Sequence, residues 1–296
     1  MRAKSWLHLL WLLPFLLTLA WLERQWPMLA WLFFVVLTLS IGFTHGAMDI
    51  FLLRDSHNRL ALKDCLIYAG AVLGLAVVLM PWPSLALIVL ILLSLWHFGE
   101  QAHHAHAPQP EAWLLRGVQG GSSVMLPVLL SPDALLITVK SISDAQAAWV
   151  WPLWVGMAGL WAALVLVALV LIKPWRKGTS KTLWVELAAL ILLNLLLSPL
   201  LAFALFFGMY HSAVHIWHMR QLQQREGKAW QDWLLFLTML ITLIALAGLM
   251  GWMSRQAFAV TDAGQWLRAL VVALAAVTLP HLVLVSRNRH RLFVAS

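Results

Sequence analysis

The 296 residues of this chain are 62% hydrophobic and only 11% charged, whereas charged residues make up about a quarter of an ordinary soluble domain. The formal charge of +8 comes from 20 Lys and Arg in short clusters between apolar runs, a pattern that is typical of membrane proteins and argues against nucleic-acid binding. The single cysteine, Cys65, excludes an internal disulfide framework. The composition therefore predicts a protein whose solvent is the lipid bilayer.

Ten apolar runs follow one another along the chain, each long enough to cross about 30 Å of hydrocarbon as a helix. Residues 1–20 resemble a signal peptide, but the next apolar run begins almost at once, so we interpret them as part of a retained first span. The fifth run is the weakest, because Arg116, Gln119 and Gly120 interrupt it. The predicted spans are residues 6–22, 28–46, 64–80, 84–100, 113–131, 149–172, 182–197, 200–219, 232–252 and 266–286.

The positive charges test this count. Ten spans with a cytoplasmic N-terminus place most of the 20 Lys and Arg on the cytoplasmic side, whereas removing the fifth span would put the later clusters on the opposite side from the earlier ones. The predicted fold is therefore an all-α polytopic transmembrane bundle with both termini cytoplasmic. Proline-containing turns at 81–83 and 198–199 are too short for a soluble domain, so residues 1–296 are predicted to form a single domain in the cell (inner) membrane.

Ionisable groups inside a bilayer are costly and usually mark function, and five of the histidines within predicted spans stand out. They are His45 in the second span, His97 in the fourth, His211 and His215 in the eighth and His281 in the tenth. At about 1.5 Å per residue, all five fall in the inner half of the membrane. His211 and His215 share a helix face. With His45 and His97 they predict one metal site; neutral histidines that hydrogen-bond between helices are the alternative.

Two carboxylates accompany these histidines, since Asp49 follows His45 by four residues and Glu100 follows His97 by three. Either could accept the free ring N–H of its histidine, ligate the metal directly, or only cap a helix end. His218 is predicted to lie at the membrane interface.

Aromatic side chains near the histidines predict walls for a long, flat, apolar substrate that enters from the lipid; they are Trp96, Phe98, Phe203, Phe206, Phe207 and Tyr210. Glu186 is the only acidic residue well inside a span, which argues against an ion pathway lined by carboxylates. The chain also has no nucleophilic-triad or nucleotide-binding motif. A redox metal held by neutral ligands with open positions can bind dioxygen beside such a substrate, which indicates oxidative cleavage of a carbon-carbon double bond.

Four blocks of sequence contain the candidate ligands: residues 42–49 (GFTHGAMD), 96–100 (WHFGE), 203–215 (FALFFGMYHSAVH) and 279–281 (LPH). Together they resemble the Brp/Blh family of bacterial and archaeal membrane β-carotene 15,15'-dioxygenases. The blocks extend from the second span to the tenth, so the resemblance covers most of the chain.

This resemblance implies cleavage of β-carotene by O2 at its central double bond into two retinal molecules, often for a rhodopsin. It implies a non-haem iron, Fe(2+), bound by His45, His97, His211 and His215, with His281 lining the site or supporting a ligand. The family usually has a tryptophan and a basic residue where this chain has Tyr210 and Val214, and often an aspartate near Gln101. Another carotenoid or an apocarotenoid is therefore an open alternative for the substrate.

Two other functions compete with this interpretation. In a membrane di-iron desaturase or hydroxylase, His211, His215 and His218 would form a histidine box, but such boxes contain an adjacent pair and only His103-His104 is adjacent here. In a divalent-metal transporter, His103, His104 and His106 would form a metal-collecting loop, but the scarcity of intramembrane carboxylates argues against transport.

Overall fold

The computed structural model describes residues 5–53, 62–104, 112–172, 179–227 and 263–288, together with a few single positions outside these ranges. The described backbone is helical almost throughout and contains no strand, which confirms the predicted all-α class. The helices are α1 (Ser5–Gln25), α2 (Pro27–Leu37), α3 (Phe43–Ala47), α4 (Leu62–Leu79), α5 (Pro83–His104), α6 (Ala112–Leu130), α7 (Pro132–Ser143), α8 (Ala147–Leu171), α9 (Thr179–Leu196), α10 (Pro199–Ala204), α11 (Ala213–Arg225) and α12 (Ala263–Arg287).

Within the described ranges, six helical stretches are long and apolar enough to cross a bilayer, and they make this a membrane protein. They are Trp31–Phe51, Leu62–Leu79, Pro83–Glu100, Pro132–Leu171, Pro199–Arg225 and Gly264–Arg287. The first, fifth and seventh predicted spans coincide with α1, α6 and α9, while the ninth, at 232–252, falls almost entirely outside the described residues. The count of ten spans and the cytoplasmic position of both termini stay predictions.

Helix α6 shows why the fifth predicted span is polar. It packs against α5, α8 and α9, and its residues from Leu114 to Val128 are mostly buried. Gly120 lies against the carbonyl oxygen of Leu95, and Gly121 lies against the ring of Trp161. That indole donates hydrogen bonds to the carbonyls of Gly117 and Val118, both at 3.1 Å. Since α6 faces other helices, small and polar residues permit close packing without exposing polar groups to lipid.

Helix α7 was not predicted, because residues 132–148 have too few apolar positions for a span. It begins with Pro132 at its first turn and buries Leu135, Val139 and Ile142 against the bundle. Arg268 at the start of α12 donates to the carbonyl oxygen of Ser141 at 3.0 Å and forms an ion pair with Asp144. These contacts attach α7 to the beginning of α12.

Two π-helical segments, Thr38–Gly42 and Leu205–Ser212, interrupt the helices on either side of them. The two segments pack against each other. A Cβ atom on Gly42 would lie 2.5 Å from the Phe207 ring, and one on Gly208 would lie 3.0 Å from the carbonyl oxygen of Leu37. Glycine at both positions therefore permits the close approach of these segments.

Candidate metal centre

The two π-helical segments position three of the predicted ligands. His45 lies in α3, the helix that directly follows the first segment. His211 lies near the end of the second segment, and His215 lies in the first turn of α11. A π-helical turn contains an additional residue, so it rotates the following helix relative to an uninterrupted α-helix, and such turns are frequent at functional sites. The other two histidines lie on α-helices, His97 on α5 and His281 on α12.

All five intramembrane histidines converge in the interior of the bundle, and none is more than 6% exposed. The ring of His45 is central, with centroids 5.1 Å from His211, 5.6 Å from His215 and 5.0 Å from His281. The ring of His97 lies 4.7 Å from His211 and 4.9 Å from His281. Segments that are far apart in sequence therefore bring five imidazoles to one place.

In the part of the chain that the structure describes, the potential ligand atoms form two neighbouring groups. In one group, ring nitrogens of His45, His97 and His211 all lie within 4.8 Å of one another. In the other, Asp49, His215 and His281 meet the same condition. Either group could hold a metal ion, and His215 lies with Asp49 and His281 rather than in the group of the other three predicted ligands.

The ring of His45 is fixed by the first π-helical segment and by Ser212. Its Nδ1 contacts the carbonyl oxygen of Gly42 and lies 3.0 Å from the hydroxyl of Ser212. That hydroxyl donates to the carbonyl oxygen of Phe207 at 2.6 Å. Because the carbonyl oxygen of Gly42 can only accept, Nδ1 carries the proton and Nε2 keeps a free electron pair. Ser212, which the sequence analysis did not select, thus supports His45.

A chain of hydrogen bonds orients His281 in the same way. Its Nδ1 lies 2.8 Å and 2.9 Å from the two carboxylate oxygens of Asp49, and the hydroxyl of Tyr68 donates to Asp49 at 2.7 Å. The carboxylate fixes the proton on Nδ1, as carboxylates commonly do behind a metal-bound histidine. Tyr68 was missed by the sequence analysis, although one of only two tyrosines in the chain, within an apolar span, is a detectable signal.

The unsatisfied nitrogens of the cluster indicate that a cation fits there. The Nε2 atoms of His215 and His281 are buried without a hydrogen-bond partner in the described structure. The Nε2 atoms of His97 and His211 lie 3.1 Å apart. Buried polar atoms normally have partners, and neutral imidazole nitrogens are good ligands for divalent transition metals. A divalent transition metal therefore suits this donor set.

A small cavity of about 30 Å³ reaches the histidines, and His45, His97 and His281 line it. Phe98, Phe203 and Phe207 contribute to the same cavity. The ring of Phe98 lies 4.7 Å from that of His211, and Phe207 lies 5.3 Å from His45. Phe206 packs behind Phe98 at 5.0 Å. The space beside the histidines is thus bounded by aromatic rings together with aliphatic side chains such as Leu90, Leu274 and Val277.

Other predicted site residues lie away from this cavity. Trp96 is 61% exposed on the outer face of α5, and Tyr210 is partly exposed and donates to Glu186 at 2.5 Å. Glu100 accepts from Ser286 at 3.0 Å, and Asp49 pairs with His281, so neither carboxylate pairs with the histidine that precedes it. The predicted loop histidines at 103, 104 and 106 fall where no side chain is described.

Together these features define a helical membrane protein with a buried histidine cluster that could bind a metal ion. The family described as Beta-carotene 15,15'-dioxygenase matches residues 36–287. This protein belongs to that family, which confirms the resemblance found in the sequence. A curated relative, Beta-carotene 15,15'-dioxygenase from an uncultured marine bacterium 66A03, is 24% identical over 261 residues, which cover 85% of this chain and 91% of the relative. No solved structure matches the chain.

Proposed function

We propose that this protein cleaves β-carotene with O2 at the central 15,15' double bond and releases two retinal molecules. Family membership supports a dioxygenase that acts on a carotenoid. The observation that carries the proposal is the cavity in which His45, His97 and His281 stand beside Phe98, Phe203 and Phe207. It combines candidate metal ligands with aromatic walls that suit a polyene. The family favours this reaction over desaturation or metal transport.

The proposed ligands are His45, His97, His211 and His215, and the proposed metal is Fe(2+). A bound iron(II) ion would supply the redox chemistry that allows O2 to react with an alkene. In the balanced reaction the double bond breaks, each of its two carbons gains one oxygen atom, and two aldehydes form. No further reductant is needed.

The protein's own residues have three tasks in this proposal. Gly42 and Ser212 hold His45 with Nδ1 protonated, so that Nε2 is the nitrogen left to bind a metal. Asp49 does the same for His281. The rings of Phe98 and Phe207 exclude water and leave an apolar space for the polyene. Fixed side chains of this kind lower the cost of bringing the reactants together.

The substrate dissolves in lipid, so we propose that it enters from the bilayer of the cell inner membrane. The exposed apolar side chains of α4 and α8 are consistent with contact between the bundle and lipid. Retinal is equally apolar, and a rhodopsin in the same membrane is the proposed acceptor.

Expression in cells that accumulate β-carotene tests the function directly. The wild type is expected to bleach the cells and to produce retinal, measured by chromatography, whereas a His211→Ala variant is expected to leave them orange. A His218→Ala variant is the matched control, because His218 lies one helix turn beyond His215 and outside the cluster. Wild-type cells that stay orange and contain no retinal would refute the proposal.

A further inference from the structure

A second cavity, of about 110 Å³, lies next to the histidine cavity and is almost wholly apolar. Its walls come from α2, α5, α6, α7, α8, α10 and α12. Leu90, Ser94, Phe203 and Leu274 line both cavities, so the two spaces meet at these side chains. The apolar space therefore begins at the histidines and continues toward the end of the bundle where α12 starts.

We propose that this second cavity holds one half of the carotenoid and that α7, at its far end, sets the distance between the terminal ring and the bond that is cut. The proposal rests on the proposed function and adds to it the residues that select the cleavage position. Central cleavage requires such a device, because the double bonds along a polyene differ little in reactivity. A wall that stops the terminal ring at a fixed depth would select one bond.

The length of the cavity agrees with this role. On α12, Leu267 lines the cavity fourteen residues before His281, which at 1.5 Å per residue is about 21 Å along the helix. On α5, Leu87 lines it ten residues before His97, or about 15 Å. The apolar space thus extends about 15–21 Å from the histidines along these two helices, and a terminal ring with half of an extended polyene requires a space of such length.

Helix α7 provides the end wall. Leu135, Val139 and Ile142 face the cavity and are buried, whereas Ile137 on the opposite face is 69% exposed. The hydrogen bond from Arg268 to Ser141 and its ion pair with Asp144 attach α7 to α12. A helix attached in this way can stop a ring at a fixed depth.

Filling the far end of the cavity is the first test. A Val139→Trp variant, assayed with β-carotene in detergent, is expected to lose about tenfold in kcat/KM, because the added ring occupies space that the substrate needs. Its metal content is expected to match that of the wild type, because the side chains that line the histidine cavity come from other helices than α7. An Ile137→Trp variant, on the exposed face of the same helix, is expected to behave like the wild type. A Val139→Trp variant with wild-type kcat/KM would overturn the proposal.

Deepening the cavity is the second test and does not depend on how well the tryptophan variant folds. A Leu135→Ala variant is expected to let the ring slide further in, so that chromatography detects two aldehydes of unequal length beside retinal. Retinal as the only product, at the wild-type rate, would contradict a role of α7 in choosing the bond.

A binding measurement separates this inference from the proposed function. If the wild type makes no retinal, the proposed reaction is refuted. The role of the cavity is then tested by measuring how much β-carotene co-purifies with the protein. Less bound carotenoid in Val139→Trp than in Ile137→Trp would support the binding site. Equal amounts in both variants would overturn it.

Discussion

Replacing Asp49 with asparagine tests whether the hydrogen-bond chain behind His281 supports the metal site. The asparagine keeps the shape of the side chain but has one acceptor oxygen for two donors, the Nδ1–H of His281 at 2.8 Å and the hydroxyl of Tyr68 at 2.7 Å. Hydrogen bonds to charged groups contribute about 1.5–3 kcal/mol. Loss of a partner behind a metal ligand typically weakens metal binding or activity by about 10- to 100-fold. We expect the metal affinity and the cleavage rate of Asp49→Asn to fall by a factor within that range.

A graded series makes this prediction sharper. Tyr68→Phe removes one hydrogen bond from Asp49 but keeps the charge of the carboxylate. Its metal affinity and cleavage rate are therefore expected to lie between those of the wild type and Asp49→Asn. Asp64→Asn is the matched control, since Asp64 is an exposed carboxylate on α4, the helix that also carries Tyr68.

The assay is a titration of metal-free protein with Co(2+), followed by its visible absorption, beside the rate of β-carotene cleavage with Fe(2+). A change in the cobalt spectrum of Asp49→Asn would report a reoriented ligand, which a general loss of stability would not produce. If Asp49→Asn binds cobalt and cleaves β-carotene as the wild type does, the reasoning about His281 is refuted.

Three further predictions concern the metal, the packing of α6 and the position of Tyr210. Removal of metal with a chelator is expected to abolish cleavage and added Fe(2+) to restore it; restoration by Zn(2+) would contradict redox chemistry. Gly120→Ala is expected to destabilise the protein by about 1–3 kcal/mol, because its Cβ would meet the Leu95 carbonyl oxygen, and so to lower the melting temperature in detergent. Gly159→Ala, which meets no neighbouring atom, is expected to leave that temperature unchanged or raised, and equal temperatures for the two variants would contradict the close packing. Tyr210→Phe is expected to cost about 1 kcal/mol of stability, measured by thermal unfolding, through its lost bond to Glu186. Its cleavage rate is expected to stay close to that of the wild type, and a loss as large as that of His211→Ala would show that Tyr210 contacts the substrate.

The helical class and the position of the histidine cluster could be predicted from the sequence because both depend on each segment alone. In lipid, every backbone polar group must be satisfied within its own segment, so a long apolar run has helix as its simplest solution. The depth of a residue in the membrane then follows from its position within the run. His45, His97, His211 and His281 could therefore be assigned to a similar depth without knowledge of which helices are neighbours.

The contacts between helices could not be predicted in this way. Whether Asp49 would bond to His45, four residues away, or to His281, on the distant α12, depends on how α3 and α12 are rotated about their axes. The π-helical segment before His45 sets the rotation of α3, and hydropathy does not reveal such a segment. Likewise, Trp96 and Phe98 are two residues apart, yet one is exposed and the other faces the histidines.

The sequence by itself thus determined a helical membrane protein with five histidines at one depth and a likeness to one enzyme family. Only the tertiary structure decided which partners those histidines have, that the polar α6 lies inside the bundle, and that α7 lines an apolar cavity. The physical reason is that span formation depends on the transfer of each segment into lipid, whereas these features depend on side-chain packing between segments far apart in the chain.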